Sequence, residues 1–542
     1  MSSGAGYTLA HRSVASIRSV PPQGQSPAAP HTPPRVISST YSSPSTIRAD
    51  DDFVLIEIGS RFARIGFAGD SLPKATLSCG PEQGRRAGDF SAWQQPAPSF
   101  TEAWSDDHEI WRYDLRSLDL GLFHDKLDRL LRDAFTRYLL IDSRPRRMGL
   151  VLDPELPIPL LSVVLDTLFN NFQAPIVSLM SSPTMSAVAA GVRSALVVDM
   201  GWAETVVTSV YEYREVKTTR TVRGGRLLLD RLYKLLHQLL KSEDHDGKGP
   251  RALSFEECED ILCRLVWCRA SGFKSPQRQS TQLDTVEEQD ESEAEPSRTA
   301  GAAEIPLRST SPPTTLQVPF DKLADVCDDI FFEPSSSPST FDDHELPLHL
   351  LVYQHLVQLP MDVRAVCMPR IMFTGGCSSI LGIKERLMDE VTSITDKRGW
   401  APVSGKGVEQ LRHNQKIRRS SVQRSSISSV ATSETGNIGG PFGDIEAKIA
   451  RNRPVPQQLQ GQLRALHTLG PWAGASLMCQ LKVPAMATID RELWLQQGAS
   501  GASRPNEVDA KAQQRQSMGA GGLIRGSGGH HTNWTLGVWG SY

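Results

Sequence analysis

Residues Phe53–Asp70 read FVLIEIGSRFARIGFAGD, and this stretch decides the fold. Phe53–Ile56 suit a pleated, half-buried surface and run into Glu57, a Gly59–Ser60 turn and a second apolar segment that carries Arg64. The chain then turns at Gly66 and Gly69. A hairpin is predicted, and the backbone N–H groups of its tip are free to cradle an anion, to which Arg64 adds positive charge. Glu57 suits such a place only with a divalent cation between it and the anion, as hard oxygen ligands and Mg²⁺ allow. An ordinary hairpin with a surface Glu and Arg is the simpler reading of this stretch alone, so the rest of the chain has to decide.

Length and composition narrow the classes. A chain of 542 residues has room for two or more cores. Its net charge of −3 makes no case for nucleic acid or an acidic lipid surface as the main partner. The N-terminal MSSGAGYTLAHRSV has no apolar signal region and no run is long enough to span a membrane, so a soluble intracellular protein is expected. The eight cysteines form no CxxC pair and are read as reduced core thiols.

Four segments are too polar to bury a core. Residues 1–50 are rich in Ser, Pro and Arg; about 271–315 are acidic, with DTVEEQDESEAEP in the middle; about 396–460 are basic and Ser-rich around RHNQKIRRSSVQRSSISSV; and 499–542 form a Gly-rich tail. All four are predicted to be disordered. Between them strands alternate with helices: RMGLVLD, then the helical LPIPLLSVVLDTLFNNF, the strand APIVSLM, the small-residue helix PTMSAVAAG, and the amphipathic LLLDRLYKLLHQLL. An α/β fold is expected.

Two further motifs repeat the chemistry of the first. In Ser194–Thr205, SALVVDMGWAET, a strand again ends in an acid, Asp199, and turns at a glycine, Gly201. In Arg370–Val391, RIMFTGGCSSILGIKERLMDEV, a strand meets the pair Gly375–Gly376, with a helix expected from Ser378 or Ser379. Glycines after a strand admit a ligand close to the backbone, and a helix N-terminus favours an anion or nucleotide.

The order of these motifs, with GFAGDSLPKA after the first and the pattern GGxSxxxGIxxR in the third, resembles the actin superfamily. VRGGRLLLDRL (Gly225, Arg226), FNNFQAP and WAGASLMCQL add to the likeness, which covers roughly residues 52–498 apart from the two inserts. It implies a two-lobed actin-like ATPase fold of duplicated ribonuclease-H-like domains. Lobe I would take 51–182 and return at 468–498, and lobe II would take 183–467. It also implies ATP or ADP with Mg²⁺ in the cleft, the sequence leaving an empty cleft open. Carried over by residue, Gly59, Ser60 and Arg64 would meet the β- and γ-phosphates, and Gly201 the second phosphate turn. Gly225 would line the same site, and Gly375, Gly376 and Ser378 its adenosine side. Glu57 and Asp199 would face the metal.

Departures from the family pattern matter as much. Glu57 replaces an Asp, Arg61 replaces a Gly and is expected to crowd the loop or reach into the cleft, and Trp202 replaces the second metal-facing acid. Ser182 stands where the family has its water-positioning Gln, and Leu262 and Cys263 where it has a charged adenine-contacting pair. Phosphoryl transfer depends on positioning and electrostatics, so a site that binds nucleotide without efficient turnover is expected, with no catalytic residue named. The degraded site and long inserts resemble the fungal pointed-end actin-related subunit of dynactin. That likeness implies a cytoplasmic, cytoskeletal protein with actin-related filament subunits and pointed-end complex proteins as partners and no nucleic acid. A nuclear actin-related subunit of a chromatin-remodelling complex is the alternative, the basic run at Arg418–Arg419 serving as its address.

Overall fold

The computed structural model describes residues 53–89, 104–116, 118–142, 144–243, 253–272, 301–308, 313–333, 340–400, 462–481, 487–501 and 539. Expectations for residues 1–50, 273–300 and 401–461 lie outside them.

Alternating and continuous apolar runs become strands where expected. The first three strands are β1 (Phe53–Ile58), β2 (Phe62–Phe67) and β3 (Ala75–Ser78). β4 (Arg147–Leu152) and β5 (Ile176–Ser181) follow. With β12 (Ala487–Asp490) they form one sheet of six strands in the order β12-β5-β4-β1-β2-β3. A second sheet of four strands runs β11-β6-β7-β8, built from β6 (Ala195–Met200), β7 (Thr205–Tyr211), β8 (Arg214–Thr221) and β11 (Ile371–Thr374).

The two sheets share one plan. Each opens with a strand, β1 or β6, that doubles back through a glycine turn into an antiparallel neighbour, which pairs antiparallel with a third. On its other edge the opening strand takes a parallel partner, β4 or β11, which only a long crossover can deliver. This is the duplicated, two-lobed α/β architecture of the actin fold. Each sheet has its own core: Ile56, Ile65, Leu127, Leu150 and Phe169 around the first, and Leu196, Val207, Leu232, Leu351 and Phe373 around the second.

A helix pair lies between the sheets. Ser182–Ala189 packs on β6 and β7, and Gly470–Gln480 packs on β1 and β4. The two helices approach so closely that a Cβ on Gly474 would stand 1.9 Å from the Met185 carbonyl oxygen.

Three expectations are corrected. Within the segment 271–315 expected to be disordered, Ala302–Leu307 form strand β9, which pairs antiparallel with β10 (Thr314–Pro319). Ala303, Ile305 and Leu307 enter the second core, so the alternation of small and apolar residues outweighs the polar composition of the neighbouring text. In the third motif the helix does not start at Ser378 or Ser379. A 3₁₀ turn spans Gly376–Ser379, and the α-helix begins at Ile383 after Gly382 adopts a left-handed conformation (φ +84°). From the tail expected to be disordered, Trp539 is buried in the first core, its indole donating to the Asp153 carbonyl at 2.8 Å.

Candidate functional site

The two acid-bearing hairpins close in the same way. The Gly59 N–H donates to the Phe62 carbonyl at 2.8 Å, and the Gly201 N–H to the Glu204 carbonyl at 3.0 Å. The third motif abuts the second tip: Gly375 lies at φ +81°, and a Cβ there would meet the Met200 carbonyl oxygen at 2.4 Å and Asp199 Oδ1 at 2.5 Å. Only glycine permits both the conformation and the approach. The helix Gly225–Glu243 starts against the same tip, with the Gly225 N–H donating to the Gly201 carbonyl at 3.0 Å and the Arg226 N–H to the Trp202 carbonyl at 2.9 Å.

Carboxyl groups gather beneath the tips. Glu57 and Arg64 are direct cross-strand partners and form an ion pair. Burial pushes the Asp199 carboxyl up to about 7, helped by the charges of Asp153 and Glu57, and pushes Glu204 up to about 8, again helped by Asp153. Glu57 Oε2 and Glu204 Oε1 are buried with no hydrogen-bond partner. Asp153, Asp199, Ser182 and Thr208 line a cavity here of about 220 Å³, open mouth included.

Above this cavity the lobes are joined by side chains. Arg61, 5% exposed, reaches from the first tip to Glu259 on the helix Phe255–Leu265, with Nε and Nη2 donating at 3.3 and 3.0 Å. Its Nη1 donates to the carbonyls of His108 (3.0 Å) and Cys79 (3.3 Å), and the guanidinium lies 4.9 Å from the centre of the Phe255 ring. From the second tip the Trp202 indole donates to Glu109 Oε1 at 2.7 Å. Arg226 meets Asp106 at 2.9 Å and Glu109 at 3.6 Å. His108 stacks on Phe255, with ring centres 3.8 Å apart and planes at 6°. Asp106, His108 and Glu109 belong to Trp104–Trp111, a segment anchored to the first lobe by the Ile110 N–H donating to the Ser60 carbonyl (2.8 Å) and by buried Ile110 and Trp111. Burial raises the Glu109 carboxyl, while Arg226, the Trp202 indole and Arg112 pull it down.

A family model described as Actin matches residues 49–414. The chain belongs to the actin family. This actin-family chain is also 24% identical over 410 residues to Actin-related protein 4 of Oryza sativa subsp. indica, across 66% of its own length and 89% of that protein. The Actin-related protein 4 of Oryza sativa subsp. japonica matches to the same extent.

In this actin-family chain the residues singled out in the sequence do converge on one place, but their donors are differently engaged. Gly59, Gly201, Gly225 and Gly375 shape the two tips and their neighbours. Gly376 has open space where a side chain would be. Ser378 Oγ donates to the Gly375 carbonyl at 2.7 Å. Arg64, expected on phosphate, is paired with Glu57, expected on metal. Cys263 is exposed and Leu262 half-buried on the helix that carries Glu259 one turn earlier.

The family's ATP or ADP with Mg²⁺ fits these residues only at the acidic end. Glu57 and Glu204 each keep an orphaned carboxyl oxygen here beside a raised Asp199, and a hydrated cation would favour the ionised forms of all three. Among the described residues, however, no three His, Cys, Asp or Glu side chains are arranged to hold a metal directly. The nucleotide itself does not fit. Every guanidinium nitrogen of Arg61 has a protein partner, and the Trp202 ring packs against the Gly225 backbone, where a Cβ would stand 3.1 Å from it. Reasoning from the sequence found Arg61 and Trp202 but missed Asp106, Glu109 and Glu259. Their signal was faint: a run of acids, WSDDHE, in text that does not look like the family.

Proposed function

We propose that this chain is a structural actin-related subunit in which the family's ATPase site is degenerate, and that it caps one end of a short actin-like filament in a dynactin-type complex that supports microtubule motor transport. The observation that carries the first half is the Trp202 indole at the second tip, committed to Glu109. An indole is a donor only and cannot hold a metal-bound water as a carboxylate does. Ser182, which lines the cavity, is too short to take over the role of a Gln in orienting a water.

Support for a capping role comes from asymmetry. A head-to-tail filament needs two different surfaces on each subunit, so altering one leaves a subunit that joins but does not propagate. The segment Trp104–Trp111, in the stretch that departs from the family text, folds into the cleft of its own chain, whereas the third motif and the helix Gly470–Gln480 keep family-like text. A nuclear actin-related subunit of a chromatin-remodelling complex is the second reading, drawn from the basic run at Arg418–Arg419. Purification of the native complex with identification of its subunits separates the two. For the first half, the purified protein is expected to show negligible ATP turnover. Electron microscopy should show it at one filament end and no filaments from it alone; labelling along the whole filament would sink the capping reading.

A further inference from the structure

We propose that this chain carries its own cleft bridge in place of a bound nucleotide: Arg61 to Glu259, Trp202 to Glu109 and Arg226 to Asp106 hold the two lobes together, and the closed form needs no ATP or ADP. This goes beyond absent turnover, because a site can bind nucleotide without hydrolysing it.

Arg61 and Trp202 stand at the tips of the two hairpins. Each sends its side chain to the opposite lobe. Arg61 crosses from the first lobe to Glu259 in the second, and Trp202 and Arg226 cross from the second to the Trp104–Trp111 segment of the first. Phe255 packs against the guanidinium of Arg61, the ring of His108 and the edge of Trp202, whose ring centre lies 5.9 Å away, so an apolar ring backs the Arg61 and Trp202 links. Links of this kind gain strength when partly desolvated and geometrically paired, as the two-nitrogen contact of Arg61 with Glu259 is.

Charge opposes a polyphosphate. Arg64 is paired with Glu57, Arg61 with Glu259, and Arg226 and Arg112 with Asp106 and Glu109. Four arginines meet four carboxylates. The carboxyl groups of Asp153, Asp199 and Glu204 lie beneath, and among the described residues the ion pair they make is that of Glu204 with Arg220 at 4.0 Å. A triphosphate would have to displace Glu259, Glu109 or Asp106 from their arginines, leaving Glu109 and Asp106 largely desolvated without a cation, a cost of several kcal/mol per ion by order of magnitude.

The test uses the full chain. Thermal unfolding of the wild type is followed with excess EDTA and with millimolar Mg²⁺-ATP. The midpoint is expected to stay within about 1 °C, whereas a ligand at a hundredfold excess over its dissociation constant would raise it by several degrees. Arg61→Ala and Glu259→Ala should each lower the midpoint, and the double variant should fall no further than the worse single one, because both remove the same link. Should either alanine variant fail to fold, Arg61→Lys and Glu259→Gln remove the two-nitrogen geometry while keeping bulk. Small-angle scattering should show the variants more extended than the wild type. An ATP-dependent rise of the wild-type midpoint, or strictly additive losses in the double variant, overturns the bridge. ATP binding without turnover would defeat the bridge and leave the structural-subunit reading standing; turnover would defeat that reading as well.

Discussion

Replacing Gly474 by alanine tests the packing of the helix pair that lies between the lobes. The new Cβ would stand 1.9 Å from the carbonyl oxygen of Met185, 2.8 Å from its carbonyl carbon and 3.1 Å from the Ala189 nitrogen. A carbon and an oxygen in close contact need about 3.3 Å, so the helix Gly470–Gln480 must retreat by roughly 1.4 Å. The obstacle is backbone and cannot rotate aside. Retreat draws Trp472 and Ala475 away from Leu55 and Met185, with which they form a small buried cluster. It also pulls Ser476 Oγ from the Gly69 N–H at 2.8 Å and the Asp70 carbonyl at 2.7 Å, the contacts that tie this helix to the end of the first hairpin. Overpacking costs about 1–3 kcal/mol and the upper end applies to a backbone clash. The Ser476 hydrogen bonds add about 1 kcal/mol. Alanine's better helix propensity returns about 1 kcal/mol, which leaves a net loss of about 3 kcal/mol. Urea denaturation followed by circular dichroism reads this as a lower midpoint at unchanged slope. Met185→Ala should not rescue the variant, because the clash is with a carbonyl. A loss below about 0.5 kcal/mol would refute the reasoning, showing that the helices slide apart without strain.

Two further predictions concern the second lobe. His355 is fully buried between Ser209 (2.5 Å) and Thr219 (2.8 Å), and burial pushes its pKa down to about 3. The unfolded chain takes up the proton near pH 6.5 and the folded chain does not. Its contribution is therefore fully present above about 6.5 and declines by about 1.4 kcal/mol per pH unit as pH falls towards 3; His355→Gln should flatten that limb in denaturation curves at pH 7 and pH 5, and an unchanged limb would sink the assignment. Asp328 joins the buried Arg269 (2.7 Å) and Arg386 (2.5 Å), so Asp328→Ala removes the carboxylate that two buried cations share, leaves Arg386 only Glu390 at 3.8 Å, and should cost about 3 kcal/mol. A loss under about 1 kcal/mol in urea would mean that Asp325, 2.7 Å from Arg269, carries the site without it.

Periodicity and turn chemistry are local properties, and they were readable. Strands β1 and β2 and the glycine turn between them, the repeat of that pattern in β6 and β7, and the amphipathic helix Gly225–Glu243 follow from residues adjacent in the chain. The actin-like fold was legible through the likeness of these motifs, in their order, to the actin superfamily, while the alternation of strands and helices gave only the α/β class. Composition misled where a short regular element lay inside polar text, as at Ala302–Leu307, and where one residue far along the tail found a core, as Trp539 does. The chemistry of the cleft was decided only by tertiary structure. Arg61 could be seen to break the family pattern, but its partner lies 198 residues away, and the partners of Trp202 and Arg226 are 93 and 120 residues away. No spacing rule links such pairs. A guanidinium at a hairpin tip reads alike whether it awaits a phosphate or is already held by a glutamate of the opposite lobe, and only the folding of the two lobes onto each other settles which.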